Sequence, residues 1–225
     1  MTSQNQVIRF EVDGPHGLRP MTLDPDDFHT MPDAQTLHVY FENKELGKSA
    51  GVWTTTPMQA SFGPYPGDEF IFVVDGHFAM MDTVDSSGTN VGCKKGQSVI
   101  FRNGVPVSWK LYDTLKKFYI PYLDPRAATP QGLSADGGIR AFDPDLTLDG
   151  VEFLPNTSTP QRDKVFFTND HGYFEVGLWD AQGLDTELSP FPWHEFAQVS
   201  EGEDGIAQKF TKGDVFFVPA GTVCK

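Results

Sequence analysis

Short runs of alternating apolar and polar residues, each closed by a turn signal, make up most of this chain. Asp68-Glu-Phe-Ile-Phe-Val-Val74 runs into Asp75-Gly76, the pattern of a strand entering a tight turn. Phe78-Ala-Met-Met81 is the next short strand, followed by a loop at Asp85-Ser-Ser-Gly88. Gln97–Phe101 and Val107–Tyr112 are two more strands, separated by Asn103-Gly104, and Lys117–Tyr122 follows them. Val7–Val12 reads as a strand near the start. No stretch long enough for a helix carries an apolar stripe of helical period. The 22 Gly and 17 Pro residues favour frequent turns over long helices. The pattern predicts an all-β sandwich or small barrel.

The pattern also occurs twice. Shifted by 126 positions, Val39–Gly76 aligns with Val165–Gly202 without a gap. The shift matches Val39 with Val165, Phe41 with Phe167, Asn43 with Asn169, Gly51 with Gly177 and Trp53 with Trp179. It continues through Pro64 and Pro190, Pro66 and Pro192, Glu69 and Glu195, and Gly76 and Gly202. Beyond these glycines the shift falls to 117, where Lys95-Gly96 meets Lys212-Gly213 and Gly104 meets Gly221. A period this long is a duplicated domain, not a solenoid. The expected organisation is an arm over residues 1–35, a first domain over 36–123, a Pro/Gly-rich linker over 124–161 packing on the barrels, and a second domain over 162–225. In the second copy the stretch between Gly202 and Gly213 is nine residues shorter than that between Gly76 and Gly96. Lys225 falls one residue before the counterpart of Trp109, so this copy is expected to be incomplete at its C-terminal end.

Charge narrows the function. Lys and Arg number 17 against 31 Asp and Glu, a net charge of −14, with pI near 4.6. Such a chain is ill suited to nucleic acid or to an anionic membrane, which reward basic surface. No apolar run approaches the roughly 20 residues of a membrane helix, and Met1–Phe10 lacks the features of a secretory signal. Cys93 and Cys224 lie far apart and suggest neither a disulfide framework nor a zinc site. A cytoplasmic protein is expected.

Glu69-x6-Gly76 and Glu195-x6-Gly202 resemble the end of the first cupin motif, G-x5-H-x-H-x3,4-E-x6-G. Pro219-Ala-Gly-Thr-Val-Cys224, led by Gly213, resembles the second motif, G-x5-P-x-G-x2-H. Trp53, Pro64–Phe70, Trp109 and Lys116–Tyr119 are similar to small cupins of the ethanolamine-utilisation type, with the two-cupin ureidoglycine aminohydrolases in the same neighbourhood. The resemblance implies a bicupin, two tandem jelly-roll barrels, often dimeric. It also implies a metal held by His, His, Glu and His. Here those positions are Gly63, Tyr65, Glu69 and Val107 in the first copy, and Ser189, Phe191, Glu195 and Cys224 in the second. Each copy keeps the glutamate and no histidine, too few ligands for a transition metal. His194 adjoins Glu195, but strand parity places it on the opposite face.

The expected function is therefore binding of a small polar metabolite in a barrel pocket, with no cofactor. The alternative is a divalent-metal-dependent bicupin enzyme acting on a small amide, ureide or keto acid. Glu69 and Glu195 are the candidate catalytic or anchoring residues. Trp53, Tyr65 and Val107 line the first pocket, and Trp179, Phe191 and Cys224 the second. As acid/base or anchor, each glutamate would meet a ligand's positive or donor group. As a structural residue, it would bond the backbone, a Tyr or a Trp. Phe70, Phe72 and Val74 make the outer face of the Glu69 strand apolar, and the N-terminal arm or the second subunit of a homodimer is expected to cover it.

Overall fold

A computed structural model describes residues 6–81, 90–126, 138–183, 186–204 and 208–224. The loop expected at Asp85–Gly88 lies outside the described residues. The chain is all-β apart from a single turn of 3-10 helix at Pro25–Asp27, among the described residues. Among the described residues no helix is long and apolar enough to cross a membrane. Two compact units form: Val12–Leu146 with Phe167–Val176, and Met1–Glu11 with Thr147–Phe166 and Gly177–Lys225. They are called here the first and second units.

Two sheets face each other in the first unit. One runs in the order Ile139–Phe142, Ser98–Phe101, Asp68–Asp75, Leu115–Tyr122, Lys48–Thr55, Gln35–Asn43 and Arg19–Pro20. The other runs Asn90–Lys94, His77–Met81, Pro106–Leu111, Met58–Ala60 and Phe28–Thr30, with Gly63–Pro64 also paired to Pro106–Leu111. Alternation along each strand sends one set of side chains between the sheets. Ile71, Val73, Phe78, Met80, Val99, Phe101, Val107, Trp109 and Leu115 form that core. The opposite face of the Asp68–Asp75 strand carries Phe70, Phe72 and Val74, each half-buried, and Phe72 stacks on Phe118 at 6.4 Å. Gly76 makes the turn after this strand at φ +84°, where a Cβ would lie 2.2 Å from the Thr114 carbonyl oxygen. No other residue fits there.

The second unit repeats the first by register. Gly63 pairs with Val107, and Ser189 pairs with Cys224. Glu69 pairs with Phe101, and Glu195 with Val218. These are the same pairs after the shifts of 126 and 117. The duplicated glycine has one cause in both copies: a Cβ on Gly51 would approach the His38 carbonyl oxygen to 2.4 Å, and one on Gly177 the Lys164 oxygen to 2.8 Å. Phe210, Phe216 and Val218 make a small core, with Val7, Phe191, Ala197, Val199 and Cys224 against it.

Edge strands come from distant segments. Ile139–Phe142 pairs on the outer side of Ser98–Phe101 in the first unit. In the second, Ile8–Arg9 pairs with the equivalent strand, Val215–Val218. Phe10 is buried and meets Phe196 edge-on at 5.6 Å, while Arg9 pairs with Asp214 at 2.6 Å. Each copy thus takes an edge strand from the stretch that precedes the other copy in sequence, although among the described residues no strand joins Glu195–Gln198 to Glu175–Ala181 as Leu115–Tyr122 joins their counterparts in the first unit.

The two thiols differ in reach. Cys93 is 2% exposed, and burial pushes its thiol up from 9.0 to about 12; Cys224 is partly exposed. Folded chains therefore keep a Cys93 proton that unfolded chains release, so stability falls as pH rises from 9.0 towards about 12. A thiol reagent at pH 8 is expected to label Cys224 in the native protein and Cys93 only on unfolding. Mass spectrometry of the labelled peptides reads this out, and equal labelling of both would contradict the burial of Cys93.

Candidate functional site: a buried carboxylate with its own ammonium

Glu69 points into the first unit because Ile71 and Val73, two and four residues on, belong to the core. The neighbouring antiparallel strand sets Pro121 opposite Glu69, Tyr119 opposite Ile71 and Lys117 opposite Val73. Opposed residues share a face, so Lys117 and Tyr119 point inward as well. Alternation along the strand sends the adjacent Lys116 and Lys117 to opposite faces. Lys116 pairs with Asp13, and Lys117 enters the core.

The Lys117 ammonium lies 3.0 Å from Glu69 Oε1, the two side chains being 9% and 12% exposed. Tyr65 donates its hydroxyl hydrogen bond to Glu69 Oε2. Both carboxylate oxygens are therefore engaged, one by a charge and one by a phenol. Lys117 Nζ also sits 5.0 Å from the Trp53 ring and 4.5 Å from the Trp109 ring, within cation–π range. Tyr65 stacks on Phe101 at 4.8 Å. Burial lowers the pKa of Lys117 below the ordinary lysine value, and the Glu69 charge and hydrogen bond oppose that shift. Burial first, then Glu69, raises the pKa of Tyr65 well above the usual phenol value and raises that of Tyr119 as well.

This corrects the expected pocket. Its carboxylate does not await a ligand's positive group, because Lys117 already supplies one. Trp53, Tyr65 and Glu69 come together around Lys117; Val107 is core, with Trp53 and Tyr65 packed against the same cluster. Lys117, Trp109 and Tyr119 were not in the expected site. Alternation along Leu115, Lys117 and Tyr119 was the available signal, a lone basic residue on an otherwise apolar inner face.

The residues do not fit a metal. Of the four cupin ligand positions, Gly63 has no side chain, Val107 is apolar, Tyr65 is a half-buried phenol that donates to Glu69, and Glu69 is held by an ammonium. Two like unit charges repel by about 4 kcal/mol at roughly 4 Å and an effective dielectric of about 20, and a divalent ion at Glu69 would face more. Among the described residues, no three His, Cys, Asp or Glu side chains gather into a ligand cluster. At Gly63 a Cβ would meet no atom within 4 Å.

In the second unit the same glutamate has different partners. Glu195 accepts from Trp179 Nε1 at 3.3 Å and from Trp193 Nε1 at 3.1 Å. Trp179 and Trp193 are 51% and 60% exposed, so Trp179 stands beside Glu195 at the surface. Phe191 and Cys224 rest against the small core, and Phe191 meets Trp193 edge-on at 5.8 Å. His194 lies on the face opposite Glu195, its ring stacked on Phe217 at 6.0 Å. Its Nδ1 accepts the Ala220 backbone N–H at 3.0 Å. Asp68 Oδ1 accepts the Asn103 backbone N–H at 2.9 Å, the equivalent bond in the first copy. His194 holds a turn.

No protein-family model and no curated protein matches the chain. Solved structures do. A protein of unknown function of the DUF861 family from Pseudomonas syringae pv. tomato superposes with TM-score 0.69 and 18% identity, covering 98% of this chain and 93% of its own. A cupin 2 conserved barrel domain protein from Leptotrichia buccalis gives 0.54 and 12%, covering 85% and 81%. The chain has the cupin fold.

Lys117→Met leaves Glu69 buried without its counter-charge and is expected to cost about 3–5 kcal/mol in urea unfolding. Adding Glu69→Gln should recover most of that loss, since no orphaned charge remains; additive losses would show that the pair is uncoupled. At the other site, His194→Leu strands the Ala220 N–H and should cost about 1–3 kcal/mol. His194→Asp, which restores the residue type of the first copy, should cost little by the same measurement.

Proposed function

We propose that the chain binds a small polar metabolite in its first barrel, around Glu69, Lys117 and Tyr65, without a histidine-based metal site. The observation that carries this reading is the buried Lys117–Glu69 pair, held together with the Tyr65 hydroxyl between the Trp53 and Trp109 rings. A buried ion pair is a poor way to stabilise a core, because well-packed apolar residues often do as well or better. A polar centre kept inside an apolar, aromatic lining is instead the usual make-up of a ligand site. The two charges compensate each other, so a ligand with net charge would arrive uncompensated. An uncharged or zwitterionic metabolite suits the site.

A thermal-shift screen of small metabolites against the tag-free protein tests this. A ligand present at 100 times its Kd stabilises the folded chain by about 2.7 kcal/mol. The expected hit is uncharged or zwitterionic, and its shift disappears in Glu69→Gln and in Lys117→Met. Elemental analysis of the same sample addresses the metal-dependent alternative. Near-stoichiometric Mn, Fe, Ni or Zn that is lost in Glu69→Gln would overturn the metal-free reading.

A further inference from the structure

We propose that Lys117 condenses with a small uncharged aldehyde or ketone in the first barrel, giving an iminium whose charge stays between Trp53, Trp109 and Glu69. The proposal rests on the binding reading above and names the ligand class for that site. Lys117 is a primary amine in a water-poor, aromatic surrounding, with a proton acceptor in contact at 3.0 Å. Burial disfavours its ammonium form relative to an ordinary lysine. Desolvation of this kind is how lysines become nucleophiles towards carbonyl carbon.

The step balances without a further reactant. The ammonium passes one proton to Glu69, and the free amine attacks the carbonyl carbon. A nitrogen–carbon bond forms as the carbonyl electron pair moves to oxygen, which takes a second proton from nitrogen. Glu69 then returns its proton to that hydroxyl, the carbon–oxygen bond breaks, and water leaves. Lysine ammonium and carbonyl become iminium and water, and Glu69 ends as the carboxylate it began as. The positive charge neither appears nor disappears, so the pairing with Glu69 persists. The indole faces that hold the ammonium hold the iminium equally, and the larger cation gives up less hydration on burial. Tyr65, bonded to the other carboxylate oxygen, keeps that carboxylate oriented throughout.

Other lysines lack these surroundings. The Lys44 and Lys95 side chains are 82% and 72% exposed, and Lys116 points away from the core towards Asp13. The test is reductive trapping of the full chain with acetaldehyde or hydroxyacetone and sodium cyanoborohydride at neutral pH, followed by peptide mass mapping. Lys117 is expected to gain the alkyl group roughly tenfold faster than any other lysine. Glu69→Gln should slow that labelling specifically, and Lys117→Arg, which keeps the charge, should abolish it while circular dichroism stays unchanged. Labelling spread over surface lysines, with Lys117 no faster than the rest, overturns the proposal. Metabolites that shift the melting temperature through Glu69 without Lys117 ever being trapped sink the iminium and leave the binding reading standing. Neither shift nor trapping removes both.

Discussion

A carboxylate turned into an apolar barrel must be met by donors, and that requirement organises the first half of this molecule. In the first unit Glu69 is satisfied by an ammonium from the neighbouring strand and a phenol from the turn just before its own strand. Trp53, Trp109 and Phe101 then pack around the polar group and keep water away from it. In the second unit Glu195 occupies the same register position and is met by two indole N–H groups. The same register position is buried in one copy and lies among exposed indoles in the other, and the surroundings set the chemistry. An ammonium beside a carboxylate can exchange a proton; an indole N–H can only donate.

The Glu69 centre depends on pairing between segments far apart in sequence. Lys117 reaches Glu69 only because Leu115–Tyr122 lies antiparallel beside Asp68–Asp75, with Lys117 opposite Val73 on the inner face. The start of the Glu69 strand is fixed in turn by its neighbour Asp68. This buried side chain accepts from the Asn103 backbone and, at 3.0 Å, from Asn169 Nδ2. Asn169 Oδ1 itself accepts the Tyr173 and Phe174 N–H groups of its own hairpin tip. Arg102 adds an ion pair to Asp170 at 2.7 Å. The first unit thus borrows the hairpin tip of the second copy, and these bonds hold the strand that presents Glu69.

Much of this was legible in the residues. Alternation gave the strands, and the two shifts of the repeat foretold the shared pairs Gly63–Val107 and Ser189–Cys224, because equivalent patterns impose equivalent registers. Parity gave the inward direction of Glu69 and the outward direction of His194. These features are local: a side chain's face follows from its place in its own strand. The duplicated Gly51 and Gly177 were visible as a repeat, although the carbonyl that excludes a Cβ was not.

What tertiary structure alone decided is what stands opposite. Alternation puts Glu69 inside but does not name Lys117 as its partner, since that depends on which strands become neighbours and where a register slips. The exposure of Trp179 and the edge strand that each copy takes from the stretch ahead of the other are equally non-local. Strand edges are satisfied by whichever segment folding delivers, and a one-dimensional pattern carries no record of that choice. The sequence by itself determined two cupin-like copies, each with an inward glutamate. The fold decided that one of those glutamates carries its own cation.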